Sequence, residues 1–436
     1  MAKKKNANNN SSVVIILLVV LIVVLVAALL IIWFVNPGGS KEIVFKPIIN
    51  IINGNNESKD ANNSNGNSQT NNNTGDNGNN GGSQNQGNLE HGEGELQFHM
   101  LDTKQGDWLL LIFPDGKEML VDAGSRPDST TIYNANKAYL DNYITDGQID
   151  YVVLTHSDQD HVSYMDEIFA DYQVSNVYMP ALYATPSNAT LQNQIAAIPA
   201  EKTAILDNSG IDSTKCYINS AGYARFYIAA MTEPNCNVYL NLEINSDNDD
   251  TTLDPNSKIT SSDNTYSVTF FFENLEFYNS KVFENSNTTV ASHMKNGVSP
   301  TMIVEYNGKR IVLTGDANGY NEPYMVERMQ AYYGGVIDCD VLKVAHHGSH
   351  EGSSADYLAE VTCEYAMLSC GVGNEYNHPR QVALDRIKDQ YANTVLYRTD
   401  LHGAIVCIID KDGNITITPT NTNVDSAAVW VGADAA

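Results

Sequence analysis

The sequence is short of positive charge. Of 436 residues only 25 are Lys or Arg, against 52 Asp or Glu, which leaves a formal net charge of −27. A surface of that sign repels phosphate backbones unless a cation or a local basic patch intervenes. Broad, charge-driven binding of nucleic acid is therefore excluded, whereas a metal-dependent site acting on one is not. Cysteine is scarce as well: six residues do not make a disulfide scaffold. Cys216 and Cys236 lie 20 apart in a polar region, where a disulfide can form. Cys339, Cys363, Cys370 and Cys407 sit in or beside apolar strand-like runs and read as small buried thiols. Apolar content is 42%, enough for a sizeable core, and the length suits one large domain or two ordinary ones.

One apolar run is uninterrupted, from Val13 to Val35. Its 23 residues, at about 1.5 Å each, suffice for a hydrocarbon core of roughly 30 Å. The run is longer than the apolar part of a signal peptide and lacks a small-residue cleavage site, so an uncleaved transmembrane helix is expected over 13–35. Lys3, Lys4 and Lys5 precede it. The positive-inside rule then keeps a short tail, 1–12, in the cytoplasm and places everything after Val35 outside the cell membrane. Asn, Gly, Ser and Gln dominate from Asn55 to Asn88. Such a stretch cannot bury enough surface to offset its ordering entropy, and 36–92 reads as a disordered tether.

From Glu95 the pattern changes. "ELQFHML", "DWLLLIF", "KEMLVDAG" and "IDYVVLTH" read as strands, and "TTIYNANKAYLDNY" has helical spacing. The segment from about 185 to 295 is polar and reads as an irregular insertion. Order returns with two apolar runs around Asn307-Gly308, a strong hairpin signal, and a last hairpin turns at Asp412-Gly413. Strands with helices between them predict sheets packed face to face with helices outside, over 93–421, followed by a C-terminal tail, 422–436.

Four polar clusters recur at strand ends. They are "THSDQDH", with His156, Asp158, Asp160 and His161; "LTGDA", with Asp316; "VAHHGS", with His346 and His347; and "GNEYNHP", with His378. Five of the ten histidines fall there. Such a density of imidazoles and carboxylates is costly to desolvate without a cation among them, so a metal site is expected.

"HSDQDH" resembles the HxHxDH signature of the metallo-β-lactamase superfamily, with Asp158 where most members have a second His. HxDxDH is the form found in the hydrolase domain of ComEC-type competence proteins. "MLDTKQGDWLLLIFPDGKEMLVDAG", "VEYNGKRIVLTGDA", "VLKVAHHGSHEGSS", "SCGVGNEYNHP" and "YRTDLHGAI" resemble further blocks of that domain, in order, from Leu96 to Thr418. Two features depart from it. "DTKQGD" stands for the usual "DVGQGD", and the middle segment is longer. ComEC-type proteins also have many membrane spans where this chain has one, so DNA uptake does not carry over.

The resemblance implies an αββα sandwich and two divalent metal ions per chain. It implies that His156 and Asp158 hold one ion, that Asp160 and His161 hold the other, and that Asp316 bridges them. His347 and His378 both fit as later ligands. Asp160, His346 and His378 are the candidates for catalytic roles, and His293 is a further candidate ligand. Asp158 is a harder ligand than His, which leaves zinc and manganese open. The implied activity is hydrolysis by a metal-activated water, with a phosphodiester as substrate: nucleic acid or an envelope polymer. The alternatives are a lactone, amide or thioester hydrolase and a non-catalytic surface binding protein. No protein partner is evident.

Overall fold

In a computed structural model the described residues are 94–435, without 244–253, 255, 281–282 and 284–288. The expected span 13–35 and tether 36–92 lie outside them. Among the described residues no helix is long and apolar enough to cross a membrane.

The chain begins with β1 (Leu96–Met100), β2 (Trp108–Ile112), β3 (Glu118–Ala123), β4 (Gln148–Val153) and β5 (Gln173–Pro180). A small pair, β6 (Tyr183–Ala184) and β7 (Tyr217–Ile218), is followed by β8 (Asn237–Asn241). Then come β9 (Lys258–Thr260), β10 (Tyr266–Phe271), β11 (Thr301–Tyr306), β12 (Lys309–Leu313), β13 (Val341–Lys343), β14 (Tyr365–Leu368) and β15 (Val395–Arg398). The closing hairpin is β16 (Ile405–Ile409) and β17 (Ile415–Pro419). They form an eight-stranded sheet, β17-β16-β1-β2-β3-β4-β5-β8, and a seven-stranded sheet, β15-β14-β13-β12-β11-β10-β9. From β3 to β8 the first sheet is parallel, and so is the second from β12 to β15.

Strand alternation explains the layering. On β2, Leu109 and Leu111 meet Phe270, Val304 and Leu313 of the other sheet, while Leu110 and Ile112 join the helices on the outer side. On the second sheet Ile303, Val312, Leu342 and Ala366 face the helices Glu322–Tyr333, Ala355–Glu360 and Gln381–Gln390. Three apolar clusters therefore separate four layers, and the αββα expectation holds. Because both faces of each sheet are covered, the central strands are apolar throughout rather than alternating.

Three sequence expectations are corrected. The segment 185–295 is not an irregular insertion: β8 ends the first sheet, β9 and β10 extend the second, and helices Ala189–Ala196, Ala200–Asp207 and Ala221–Thr232 lie between. Its polarity hid this order. Helix 189–196 buries no residue and starts on Asn188, whose side chain accepts from the Thr190 and Leu191 amides. Nor is 422–436 a free tail, because Val429 is buried against the second helical layer and Arg398 Nη1 donates to the carbonyls of Val429 (2.9 Å) and Val431 (2.7 Å). Cys216 and Cys236 are buried free thiols, so no disulfide joins them.

Candidate metal centre

Parallel strands present their carboxyl ends to ligands, and here five such ends converge. β3 runs into Asp122 and Arg126, β4 into His156–His161, and β12 into Asp316. β13 leads to His346 and His347, and β14 to Ser369 and then His378. Backbone contacts hold the exits together. Asp107 N donates to the Asp160 carbonyl and Gly124 N to the Asp107 carbonyl, each at 3.0 Å. A Cβ on Gly124 would lie 2.2 Å from Asp160 C, so only glycine lets the end of β3 touch the short helix Gln159–Val162.

Asp316 is the centre of the histidine cluster. Its Oδ2 lies 3.3 Å from His161 Nε2, 3.6 Å from His346 Nε2 and 3.7 Å from His156 Nε2. Its Oδ1 lies 3.5 Å from His347 Nε2. Burial pushes the Asp316 carboxyl up, but His161, His347 and His346 outweigh it and hold the group well below the ordinary range. His346 and His347 both have left-handed backbones, φ 47° and 53°. Two consecutive non-glycine residues there carry strain of the kind that concentrates at functional sites.

The residues present fit a cation. His161 Nδ1 is 2.7 Å from Asp122 Oδ2, and His347 Nδ1 is 2.9 Å from the Ser369 carbonyl. Those partners take the Nδ1–H of each ring and leave lone pairs on both Nε2 atoms, which face each other at 3.1 Å. Two lone pairs at that distance repel unless positive charge sits beside them. Burial pulls the His161 imidazolium down, yet Asp316 and Asp122 raise it well above the ordinary value, so the carboxylates favour a cation at that spot. His156 Nε2, Asp316 Oδ1 and His378 Nδ1 are buried without a partner. The donor atoms of His156, His161 and Asp316 lie within 4.8 Å of one another, as do those of Asp160, His161 and His347.

All the sequence candidates but His293 thus meet in one place. A cavity of about 310 Å³ is lined by Asp158, Asp160, Asp316, His346, His347 and His378, among others. Asp158 lines the cavity but lies outside these two tight clusters. It precedes the helix 159–162 with an extended backbone, and its carboxylate faces Asn296. With the amide turned to suit both neighbours, Asn296 donates to Asp158 Oδ2 at 3.3 Å and accepts from His346 Nε2 at 3.2 Å. Burial, then Asp160, raises the Asp158 carboxyl. His293 lies on the helix Thr289–Asn296, not in a loop, and its Nε2 is 2.8 Å from Glu351 Oε1. Burial, then His347 and His346, lowers His378 to about 3, so it stays a neutral imidazole.

Sequence reasoning missed the groups beneath the cluster. Lys343 is fully buried on β13, with Nζ 2.8 Å from Asp107 Oδ2 and 3.0 Å from the Gly315 carbonyl. Ser369 Oγ donates to Asp107 Oδ1. Asp107 and Asp122 stand in "QGD" and "VDAG", and a lone Lys in an apolar strand was a usable signal. Gln105 stands in the same "QGD", whereas Asn296 and Arg126 had no signal.

Comparison with known proteins agrees with this geometry. Residues 102–228 match the family described as the metallo-beta-lactamase superfamily. Competence protein ComA of Neisseria gonorrhoeae is 36% identical over 118 residues, 27% of this chain and 16% of that protein. ComE operon protein 3 of Bacillus subtilis (strain 168) is 34% identical over 111 residues, 26% of this chain and 13% of that protein. The chain therefore covers less than a fifth of the length of either relative. A solved structure, the metallo-beta-lactamase fold protein YhfI from Bacillus subtilis, is 10% identical, covers 74% of this chain and 99% of its own, and has a TM-score of 0.35. With its αββα layers and ligand-bearing strand ends, the folded part of this chain is similar to the metallo-β-lactamase superfamily over residues 102–228, and to competence proteins over 27% and 26% of the chain.

Proposed function

We propose that the domain hydrolyses phosphodiesters, with two divalent ions held by His156, Asp160, His161, Asp316 and His347, and with Asp158 and His378 at the edge of the set. One observation carries the reading: lone-pair donors from both sheets converge on a cavity whose rim offers the cations Arg126 and Arg380. Ions bound there supply Lewis-acid polarisation of a phosphoryl oxygen and lower the pKa of a coordinated water. The protein's own part is placement. Asp122 and Ser369 fix the tautomers of His161 and His347. Asn296 orients His346, which lines the cavity and in this reading serves the leaving oxygen. His378, as a neutral imidazole, acts as ligand or acceptor rather than as proton donor. Arg126 and Arg380 favour an anionic ester over a lactone, amide or thioester.

The apolar run Val13–Val35 behind three lysines supports a further part of the proposal, that one membrane span tethers the domain on the extracytoplasmic side. Transport of DNA is not part of it.

The test is turnover of bis(p-nitrophenyl) phosphate by the protein loaded with Mn²⁺ or Zn²⁺. Asp316→Asn should lower kcat by at least ~10³-fold, since it removes the carboxylate common to four imidazoles. Two bound ions without turnover under either metal would refute the reading and favour a binding protein.

A further inference from the structure

A cleft opens beside the metal cavity and shares a wall with it. The two spaces, of about 310 and 450 Å³, have Gln105, Arg126 and Tyr376 in common. The far side of the second is the loop 371–374. That loop presses on the Gln105 turn: Gly371 N donates to Gln105 Oε1 at 3.3 Å, and a Cβ on Gly371 would lie 2.8 Å from Gln105 N. The cleft is therefore a built wall, with room for one small organic group.

The shared wall carries N–H donors that have no acceptor. Gln105 is buried, with Oε1 engaged by Gly371 and Nε2 unpaired. Arg126 Nε is buried without a hydrogen-bond partner and stands 3.6 Å from Asp160 Oδ1. Arg380 Nε, on the rim of the metal cavity, is unpaired too. Buried donors are rarely left so, because each costs the desolvation it is not repaid for. Three around one opening suit an anion with several oxygens. Asp160 belongs to the ligand cluster, so an oxygen on Arg126 Nε lies next to that cluster.

Past that point the cleft turns flat. The Arg126 guanidinium sits 5.5 Å over the Tyr376 ring centroid, and its Nη1 donates to Tyr376 Oη. The Tyr376 ring in turn lies 5.6 Å from that of His378, tilted by 31°. A guanidinium held over an aromatic ring offers a planar surface on which a base can stack. A glycerol or ribitol phosphate has no ring that would use it.

We propose that this cleft is a nucleoside subsite. Gln105 Nε2 and Arg126 Nε donate to a non-bridging phosphoryl oxygen, and the base lies along Tyr376 and the loop 371–374. The inference rests on the phosphodiesterase reading and narrows it to esters that carry a base. It also reconciles an acidic protein with a polyanionic substrate: contact is confined to a few unpaired donors at one opening rather than spread over a basic face.

The experiment is calorimetric binding of thymidine 5′-monophosphate and of sn-glycerol 3-phosphate to the full-length, Mn²⁺-loaded protein. The nucleotide should bind roughly tenfold or more tightly, the size of one base-stacking contact. Tyr376→Leu should bring the two affinities together, and Arg126→Gln should weaken both. Equal affinities in the unsubstituted protein overturn the subsite, as does a preference for glycerol 3-phosphate, which would assign the cleft to an envelope polymer. Turnover of bis(p-nitrophenyl) phosphate in the same preparation separates the two claims. Turnover without nucleotide preference removes the subsite alone, and nucleotide preference without turnover removes the phosphodiesterase reading and leaves the subsite standing.

Discussion

A lysine with no exposure to water lies under the histidines. Lys343 reaches Asp107 and two backbone carbonyls, and Asp107 in turn holds Ser369, whose carbonyl fixes His347. Burial pushes the Asp107 carboxyl up, and Lys343, His347 and His161 outweigh it, so the group stays below its ordinary value and ionised. Removing one partner leaves the other charge uncompensated. Lys343→Met is therefore expected to destabilise the fold by about 3–5 kcal/mol in denaturant melts. Asp107→Asn added to Lys343→Met should restore more than half of that loss, because neither charge of the pair then remains. A double variant no better than the single one would show that the pair is not the source of the cost. The fold brings the eight candidate side chains to one end of the two sheets, and the signal for them in the sequence was polar residues following apolar strands, closely for all but His378. What was not legible is which donors lack acceptors. Neither "QGD" nor the residues around Arg126 show it, and only the folded neighbourhood leaves the Gln105 and Arg126 N–H groups unpaired.

At the level of elements, adjacent strands create a second electrostatic feature far from the ligand cluster. Glu118 opens β3 beside Asp150 of β4, and its backbone amide donates to Asp150 Oδ2 at 3.3 Å. Burial, then Asp150 and Asp146, pushes the Glu118 carboxyl from 4.5 up to about 8. The folded chain therefore holds a proton there that the unfolded chain releases above about 4.5. Stability must fall as pH rises between those two values, the opposite of a salt-bridged acid. Glu118→Gln should match the unsubstituted protein at pH 4 and exceed it at pH 8, by roughly 1–3 °C in Tm. A pH-independent difference would place the origin elsewhere. The same strands show where pattern reading succeeds. β2, β3 and β4 are apolar runs that fill both faces, and they were read correctly. β8 and the helices 189–196 and 200–207 were not, since an edge strand and surface helices carry little apolar signal, and starts depend on caps such as Asn188; helix 221–232, with Tyr223, Phe226, Tyr227 and Met231 buried, carried an apolar signal that was overlooked.

On the scale of the molecule, the C-terminal stretch closes the second helical layer. Arg398 is buried, and its Nη1 has the carbonyls of Val429 and Val431 as acceptors. Gln381 N donates to Asp434 Oδ1 at 2.7 Å, which ties the same stretch to the start of helix 381–390. Ending the chain at 421 should cost about 2–3 kcal/mol, because Arg398 Nη1 loses both acceptors while Nε and Nη2 keep Asp400, a fall in Tm of roughly 5 °C. An unchanged Tm would mean that the stretch is passive. The sequence reads as a tail there, because the anchoring contacts are backbone carbonyls, which carry no residue identity.

The convergence of strand ends from both sheets also sets an order of events. His161 and His347, whose ring nitrogens face each other, are separated by 186 residues. No early fragment of the chain can present both, and the first sheet cannot hold Asp316 until the second has formed against it. A cation that needs both rings is therefore held only once the two sheets have met, whereas the loop 156–161 offers its donors as soon as β4 is in place; occupancy of the site thus reports completed assembly of the domain.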